Sequence, residues 1–136
     1  MPLERHAPGR AGVALRTLGA VAVLVVGVVH LEQYLAVHFD VIPVIGPLFV
    51  LNFAGAAVMA LGLLIPALPR LLHALLALGA IGLAVTSFVF LMVSEHRPLF
   101  GFEDYGYRPA ILIVFAAEAL TVLLLGAYLA VQARSR

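Results

Sequence analysis

Glu118 is the residue whose chemistry most needs an explanation. It is the only charged residue between Pro109 and Ala133, in a stretch that is otherwise almost entirely apolar. In a membrane helix this carboxyl group would lie near the middle of the bilayer, where an ionisable side chain needs a partner or a use. We consider two roles: a protonated group that bonds a neighbour such as Thr121, or a group that exchanges protons in a coupled step.

Other polar residues stand at similar depth on the remaining apolar stretches. At helical spacing, His30, Gln33 and Tyr34 fall in one sector of the first stretch. Lipid tails offer no hydrogen bonds, so such side chains must face other helices or headgroups. The simpler interpretation is an interfacial histidine with packing residues that bond neighbouring backbone groups. The sharper prediction is an outward-opening pocket for a ligand or a proton, lined by His30, Gln33, Tyr34, Asn52, Ser87 and Glu118.

A metal site is a further candidate on the same side of the bundle. Histidine nitrogens and carboxylate oxygens suit zinc, copper or iron. The candidate ligands are His38, His96, Glu95 and Asp104. Their spacing matches no metal signature, and the chain has no cysteine. The metal and any other cofactor therefore stay unidentified, and because no catalytic motif is present we expect the chain to be non-catalytic.

Four long apolar stretches must position these residues. Of 136 residues, 64% are hydrophobic and 11% are charged, whereas soluble domains carry about a quarter charged residues. A membrane crossing needs about 20 mostly apolar residues. Prolines and glycines divide the chain into predicted helices over about 13–36, 47–65, 70–94 and 109–132, with outer loops over about 37–46 and 95–108. The predicted fold is an all-α integral membrane protein, a single domain over 1–136 with four transmembrane helices in an antiparallel bundle.

The arginines predict the orientation of this bundle. Of the eight basic residues, all arginines, only Arg97 and Arg108 fall on the side away from the termini. The positive-inside rule then predicts that both termini are cytoplasmic in a multi-pass protein of the bacterial cytoplasmic membrane. A net charge of +1 and the lack of a basic cluster argue against nucleic acid as a partner.

The two outer loops carry most of the aromatic and acidic residues. The simpler interpretation is an aromatic belt at the membrane interface, with loop charges kept outside by the topology. The alternative is a folded cap that covers a site or docks a partner.

The chain resembles the DoxX-like group of small four-helix bacterial membrane proteins. The resemblance lies in its size, in its four spans with both ends inside, and in a first helix that ends in a polar turn containing His30. The resemblance implies an association with quinone-linked redox or oxidative-stress complexes, often as the membrane partner of another subunit. It is a resemblance of architecture, and it assigns no functional residue to this chain.

The sequence therefore favours a non-catalytic accessory or structural subunit of a membrane complex. Its partners would be the lipid bilayer and either another membrane subunit or a second copy of the chain. The alternative function is binding of a hydrophobic ligand, quinone-like or lipid, or a proton-coupled redox or transport role in the outward pocket. The rotation of the last helix separates the two: Glu118 facing His30 and Asn52 favours the pocket, and Glu118 facing a lipid-exposed or intersubunit groove favours oligomerisation.

Overall fold

The computed structural model describes residues 9–104 and 106–135. Four long helices make up most of this part of the chain: α1 Arg10–Ala36, α2 Ile45–Leu64, α3 Arg70–His96 and α4 Pro109–Arg134. A single 3-10 turn, Phe39–Val41, lies between α1 and α2. The predicted all-α class is confirmed. The predicted single domain also includes residues 1–8, 105 and 136, which lie outside the described residues.

All four helices are long and apolar enough to cross a membrane. The protein is therefore a multi-pass membrane protein by the length and composition of its helices. Two prolines stand where helices tolerate them: Pro109 is the first residue of α4, and Pro47 is the third residue of α2. A proline in the first turn lacks an amide that would be unpaired anyway, so both helices begin without losing a hydrogen bond. The α2 helix thus begins two residues before the predicted boundary.

The core of the bundle is built largely from small side chains. Ala56, Ala60, Ala77 and Ala80 are fully buried and allow neighbouring backbones to approach closely. One close approach is at Gly27 of α1, where an added Cβ would lie 2.6 Å from the Cβ of Ala56. Without a side chain at position 27, α1 and α2 can therefore pack almost backbone to backbone.

The two ends of the bundle are held by different contacts. At the loop end, defined here by residues 37–44 and 97–108 with the adjoining helix ends, the Phe39 ring packs against the rings of Phe49 at 5.2 Å and Phe102 at 5.3 Å. The Arg108 guanidinium lies over the Phe39 ring, 5.5 Å from its centroid. Phe39 of the first loop and Phe102 of the second therefore pack together with Phe49 and Arg108 into a cap.

The opposite end, where residues 65–69 join α2 to α3, is closed by hydrogen bonds. Arg16 of α1 donates from Nη1 to His73 Nδ1 of α3 at 3.0 Å. His73 Nε2 in turn donates to the Ile65 carbonyl oxygen at 2.9 Å. Further out, Arg70 donates to the Ser135 hydroxyl at 2.9 Å, which joins the start of α3 to the end of α4. This end contains paired polar groups and no site that the sequence predicted.

Candidate functional site

The loop end of the bundle contains a cavity of about 360 Å³. All four helices contribute to its wall, and most of that wall is apolar, with Leu48, Phe49, Leu83 and Val114 among its residues. A mainly apolar cavity of this size with a few polar groups is typical of a small-molecule binding site. The cap lies above it, because Phe39 and Phe102 belong to the same lining.

Five of the six residues predicted to form a pocket line this cavity: His30, Gln33, Asn52, Ser87 and Glu118. They come from four different helices, so only the packing of the bundle brings them together. Tyr34 is half-buried on α1 and is not among the lining residues. Whether these residues bind a ligand or a proton stays a prediction.

His30 is held in one orientation by two hydrogen bonds. Its Nδ1 donates to the Val26 carbonyl oxygen at 2.7 Å, so we assign the proton of the neutral ring to Nδ1. Nε2 is then an acceptor, and the Ser87 hydroxyl donates to it at 3.1 Å. The Phe49 ring packs against the imidazole with centroids 4.8 Å apart. The single hydroxyl proton of Ser87 is therefore committed to His30.

Glu118 is buried at the cavity wall with neither carboxylate oxygen paired. The residue is 3% exposed, and both oxygens lack a hydrogen-bond partner within 9–104 and 106–135. Ser87 interacts with this carboxyl group but does not reach hydrogen-bonding geometry with either oxygen. While its proton is shared with His30, Ser87 cannot donate to Glu118 as well. Thr121, considered as a partner from the sequence, donates instead to the Ala117 carbonyl oxygen at 2.8 Å.

Two other residues of the cavity lining also have polar atoms without a hydrogen-bond partner in the described part of the chain. Gln33 Oε1 and Asn52 Oδ1 are buried and have no hydrogen-bond partner among the residues that the structure describes. The Gln33 amide nitrogen donates to the Glu32 carboxylate. A buried polar group without a partner costs about 1–3 kcal/mol. The cavity therefore holds unpaired acceptor oxygens on α1, α2 and α4, which suits a ligand that donates hydrogen bonds.

Three of the four candidate metal ligands contact separate partners. His38 lies 3.9 Å from an oxygen of Asp40, and His96 Nδ1 donates to the Met92 carbonyl oxygen at 2.8 Å. Asp104 accepts from Arg108 at 2.9 Å, and one oxygen of Glu95 is buried without a partner among the described residues. Across the described ranges, no group of three or more His, Cys, Asp or Glu residues is placed to hold a metal ion.

A second depression lies between α3 and α4 on the outside of the bundle. This groove has a volume of about 710 Å³, and its lining includes the exposed side chains of Val85, Phe88 and Leu123. Glu118 lines both the groove and the cavity. The position of Glu118 on α4 therefore agrees with both alternatives given in the sequence analysis. Glu118 shares the cavity with His30 and Asn52, and it also borders the groove on the outside of the bundle.

Arg108 was not predicted as a site residue, although it lines the cavity. Its Nη2 pairs with Asp104, while its Nε is buried and unpaired in the described part of the chain. The available signal was the spacing of Asp104 and Arg108, four residues apart with opposite charges. That signal indicates an ion pair but not its position at a cavity, which depends on how the outer loop folds.

The fold and the cavity define a class: a small multi-pass helical membrane protein with a partly polar internal cavity. No family model, no curated protein and no solved structure matches the chain. The resemblance to the DoxX-like group is not tested by these comparisons and stays a prediction.

Proposed function

We propose that the protein binds a hydrophobic small molecule, quinone-like or lipid, whose hydrogen-bonding head occupies the cavity. One observation carries this proposal. The Glu118 carboxyl group is 3% exposed with two unpaired oxygens, and it lies at the wall of an apolar cavity beside the His30–Ser87 hydrogen bond. Buried polar groups in folded proteins are almost always paired, so an unpaired carboxyl group beside an open volume supports a missing partner.

The types of the unpaired atoms indicate which head the cavity prefers. In the described part of the cavity lining, Gln33, Asn52 and Glu118 each leave an acceptor oxygen unpaired. Arg108 leaves one donor, Nε, so the unpaired acceptors outnumber the unpaired donors. A head with hydroxyl groups can donate to these oxygens, whereas a head with only carbonyl oxygens cannot. For a quinone-like ligand, the hydroxyl-bearing reduced form is therefore the better match. A hydroxyl near Glu118 would also approach Ser87 and His30, which supports a proton-coupled role for this group.

Thermal unfolding in mild detergent tests this proposal, with native mass spectrometry to count bound molecules. A short-chain hydroquinone at about 100 times its dissociation constant should stabilise the parent protein by about 2.7 kcal/mol. Glu118→Leu and His30→Ala should greatly reduce this stabilisation. Glu95→Leu is the matched control, because Glu95 is a half-buried carboxyl group on α3 outside the cavity lining. An undiminished shift in both cavity variants would contradict the proposal.

We also propose that the chain is a non-catalytic accessory subunit, as a partner of another membrane subunit or of a second copy. The supporting observation is on α4, where a Cβ added to Gly126 would meet no atom within 4 Å and Ala130 is exposed. Small residues four apart on an open helix face allow another membrane helix to approach closely. Gly126→Leu should therefore abolish co-purification of a partner or dissociate an oligomer in native mass spectra. Retention of the same assembly would contradict this second proposal.

For orientation, we propose an antiparallel bundle in the bacterial cytoplasmic membrane with both termini in the cytoplasm. Of eight arginines, only Arg97 and Arg108 belong to the loop end, which supports an outer position for the cavity. The chain has no cysteine, so single-cysteine variants can report the topology. In whole cells, a membrane-impermeant thiol reagent should label Arg97→Cys directly and Ser135→Cys only after permeabilisation. The reverse pattern would invert the proposed orientation.

A further inference from the structure

The groove between α3 and α4 is lined mainly by aromatic and aliphatic side chains. Its lining includes Tyr107 near the loop end and extends to Leu123. At 1.5 Å per residue, the lining residues of α4, from Phe115 to Leu123, cover about 12 Å of the helix. The Phe115 ring lies 5.4 Å from the Phe88 ring and 6.1 Å from the Tyr107 ring. The groove therefore has the apolar lining to hold a hydrocarbon chain.

The cavity and the groove lie on the two sides of one helix–helix seam. On α3, Ser87 lines the cavity and the next residue, Phe88, lines the groove. On α4, Val114 lines the cavity and Phe115 lines the groove, while Glu118 lines both. The buried carboxyl group thus stands in the seam itself, where a molecule extending from the cavity into the groove would pass.

The cap makes an approach from the loop end less direct than an approach through this seam. At the loop end, Phe39 packs against Phe102 with ring centroids 5.3 Å apart. Arg108 covers the Phe39 ring and is paired with Asp104 at 2.9 Å. The groove, by contrast, is open to the hydrocarbon that surrounds spanning helices, since Phe88 is 42% exposed.

We infer that the ligand is an amphiphile with a hydrogen-bond-donating head in the cavity and one long apolar chain in the α3–α4 groove. It enters sideways from the bilayer between the two helices, with Glu118 at the junction of head and chain. This inference rests on the proposed function, and it specifies the class of ligand. A cavity of about 360 Å³ accommodates a ring-sized head beside its polar side chains. The groove supplies a second apolar volume for the chain.

A pair of probes that differ only in the chain tests this inference. Para-cresol and para-dodecylphenol carry the same hydroxyl donor, with a methyl group and a dodecyl chain respectively. Affinities are measured in lipid nanodiscs and corrected for partition into empty nanodiscs. Ala119→Trp fills the groove, because Ala119 is an exposed residue of its lining. Ala54→Trp is the matched control, on an exposed face of α2 outside both the cavity and the groove.

We expect the parent protein to bind para-dodecylphenol at least about tenfold more tightly than para-cresol, because the chain packs against the aromatic and aliphatic side chains of the groove. Ala119→Trp should remove most of this advantage and leave the affinity for para-cresol unchanged. Ala54→Trp should preserve both affinities. Retention of the full advantage in Ala119→Trp, an equal loss in Ala54→Trp, or equal affinities of the parent for both probes would overturn the groove assignment.

The same experiment separates this inference from the proposed function. Glu118→Leu should weaken the binding of para-cresol, which has no chain and reports on the cavity alone. If the parent protein binds neither probe, or if Glu118→Leu binds para-cresol as the parent does, the cavity proposal fails together with the inference that rests on it. If only the chain-length effect is missing, the cavity proposal stands and the groove assignment fails. Circular dichroism and elution volume confirm that each variant is folded.

Discussion

At the opposite end of the bundle, Arg16 and His73 are about as deeply buried as Glu118 is at the loop end, at 4%, 3% and 3% exposed. Their polar atoms are mostly used. Arg16 donates to His73, and His73 donates to the Ile65 carbonyl oxygen, while Arg16 Nε is buried without a partner in the described chain. At Glu118, both carboxylate oxygens lack a partner among the described residues and lie beside a cavity.

This difference separates buried polar groups that connect helices from buried polar groups without a partner among the described residues. A satisfied network connects helices and rigidifies their packing, whereas an unsatisfied group costs free energy until a partner arrives. Substitutions at the two ends should therefore have opposite effects on the stability of the unliganded protein. At the opposite end they should destabilise it, and in the cavity they should leave its stability unchanged or raise it.

The largest effect is expected for His73→Leu. The leucine removes the acceptor of a buried guanidinium group, and breaking one side of a buried charged contact costs about 3 kcal/mol. Denaturant unfolding in a fixed detergent micelle measures this loss. His96→Leu is the control on the same helix, because His96 is exposed, and its effect should stay within about 0.5 kcal/mol. Equal losses in the two variants would mean that the Arg16–His73 contact does not stabilise the fold.

A pair of glycines compares the packing of the two ends. A Cβ added to Gly19 would lie 2.6 Å from Cγ of Leu125, which is fully buried. Gly19→Ala should therefore cost about 2 kcal/mol through overpacking. A Cβ added to Gly82, which lines the cavity, would meet no atom within 4 Å. Gly82→Ala should cost nothing and gain up to about 1 kcal/mol from the helix preference of alanine. Thermal unfolding of both variants measures these two changes in stability. Equal costs would contradict the proposed difference in packing between the two positions.

The sequence predicts the spans and the depth of the polar residues, but it does not predict how the helices are rotated. The four spans and the all-α class follow from long uncharged stretches, because the bilayer requires about 20 apolar residues per crossing. The depth of His30, Asn52 and Ser87 follows from counting residues along each helix. The rotation of a helix about its axis does not follow, because the apolar residues surround each helix nearly evenly. Sequence therefore indicated which side chains lie at one depth, and packing decided that Tyr34 is outside the cavity lining.

The Arg16–His73 contact is even harder to predict from sequence than the rotation of a helix. The two residues are separated by 57 positions, and nothing local in either stretch predicts that they meet. The sequence alone shows Arg16 only as the last charged residue before the first apolar stretch, where a long side chain can extend toward the interface. Its burial depends on the approach of α3 to α1 at the opposite end, which is a property of the complete bundle. Contacts of this kind need the tertiary structure or covariation between positions.

Glu118→Leu tests the comparison from the cavity side. Leucine is similar in size to glutamate and removes two unpaired oxygens from an apolar environment, so the unliganded protein should gain about 1 kcal/mol. The same variant should lose the stabilisation by hydroquinone. Thermal unfolding with and without the ligand measures both changes in one experiment. A loss of stability without ligand would contradict this prediction, because it would show that the carboxyl group already has a structural partner.

The smallest effect is expected at the cap. Arg108 pairs with Asp104 at 2.9 Å, with 33% and 12% of their side chains exposed, and it also covers the Phe39 ring. Partly exposed pairs of this kind contribute about 0.5–1 kcal/mol, so Arg108→Gln should lower stability by no more than that. Arg97→Gln is the exposed control.

Hydrogen exchange at the Asp104 amide sharpens this last prediction. That amide donates to the Ser94 carbonyl oxygen at 3.0 Å and so reports whether the outer loop stays on α3. Arg108→Gln should speed its exchange by about fivefold, which corresponds to about 1 kcal/mol of local stability, while exchange in the middle of α3 stays unchanged. If the cap opens locally in this way, its contacts are the weakest polar contacts of the bundle. Equal acceleration at both places would instead mean that the cap and the spans unfold together.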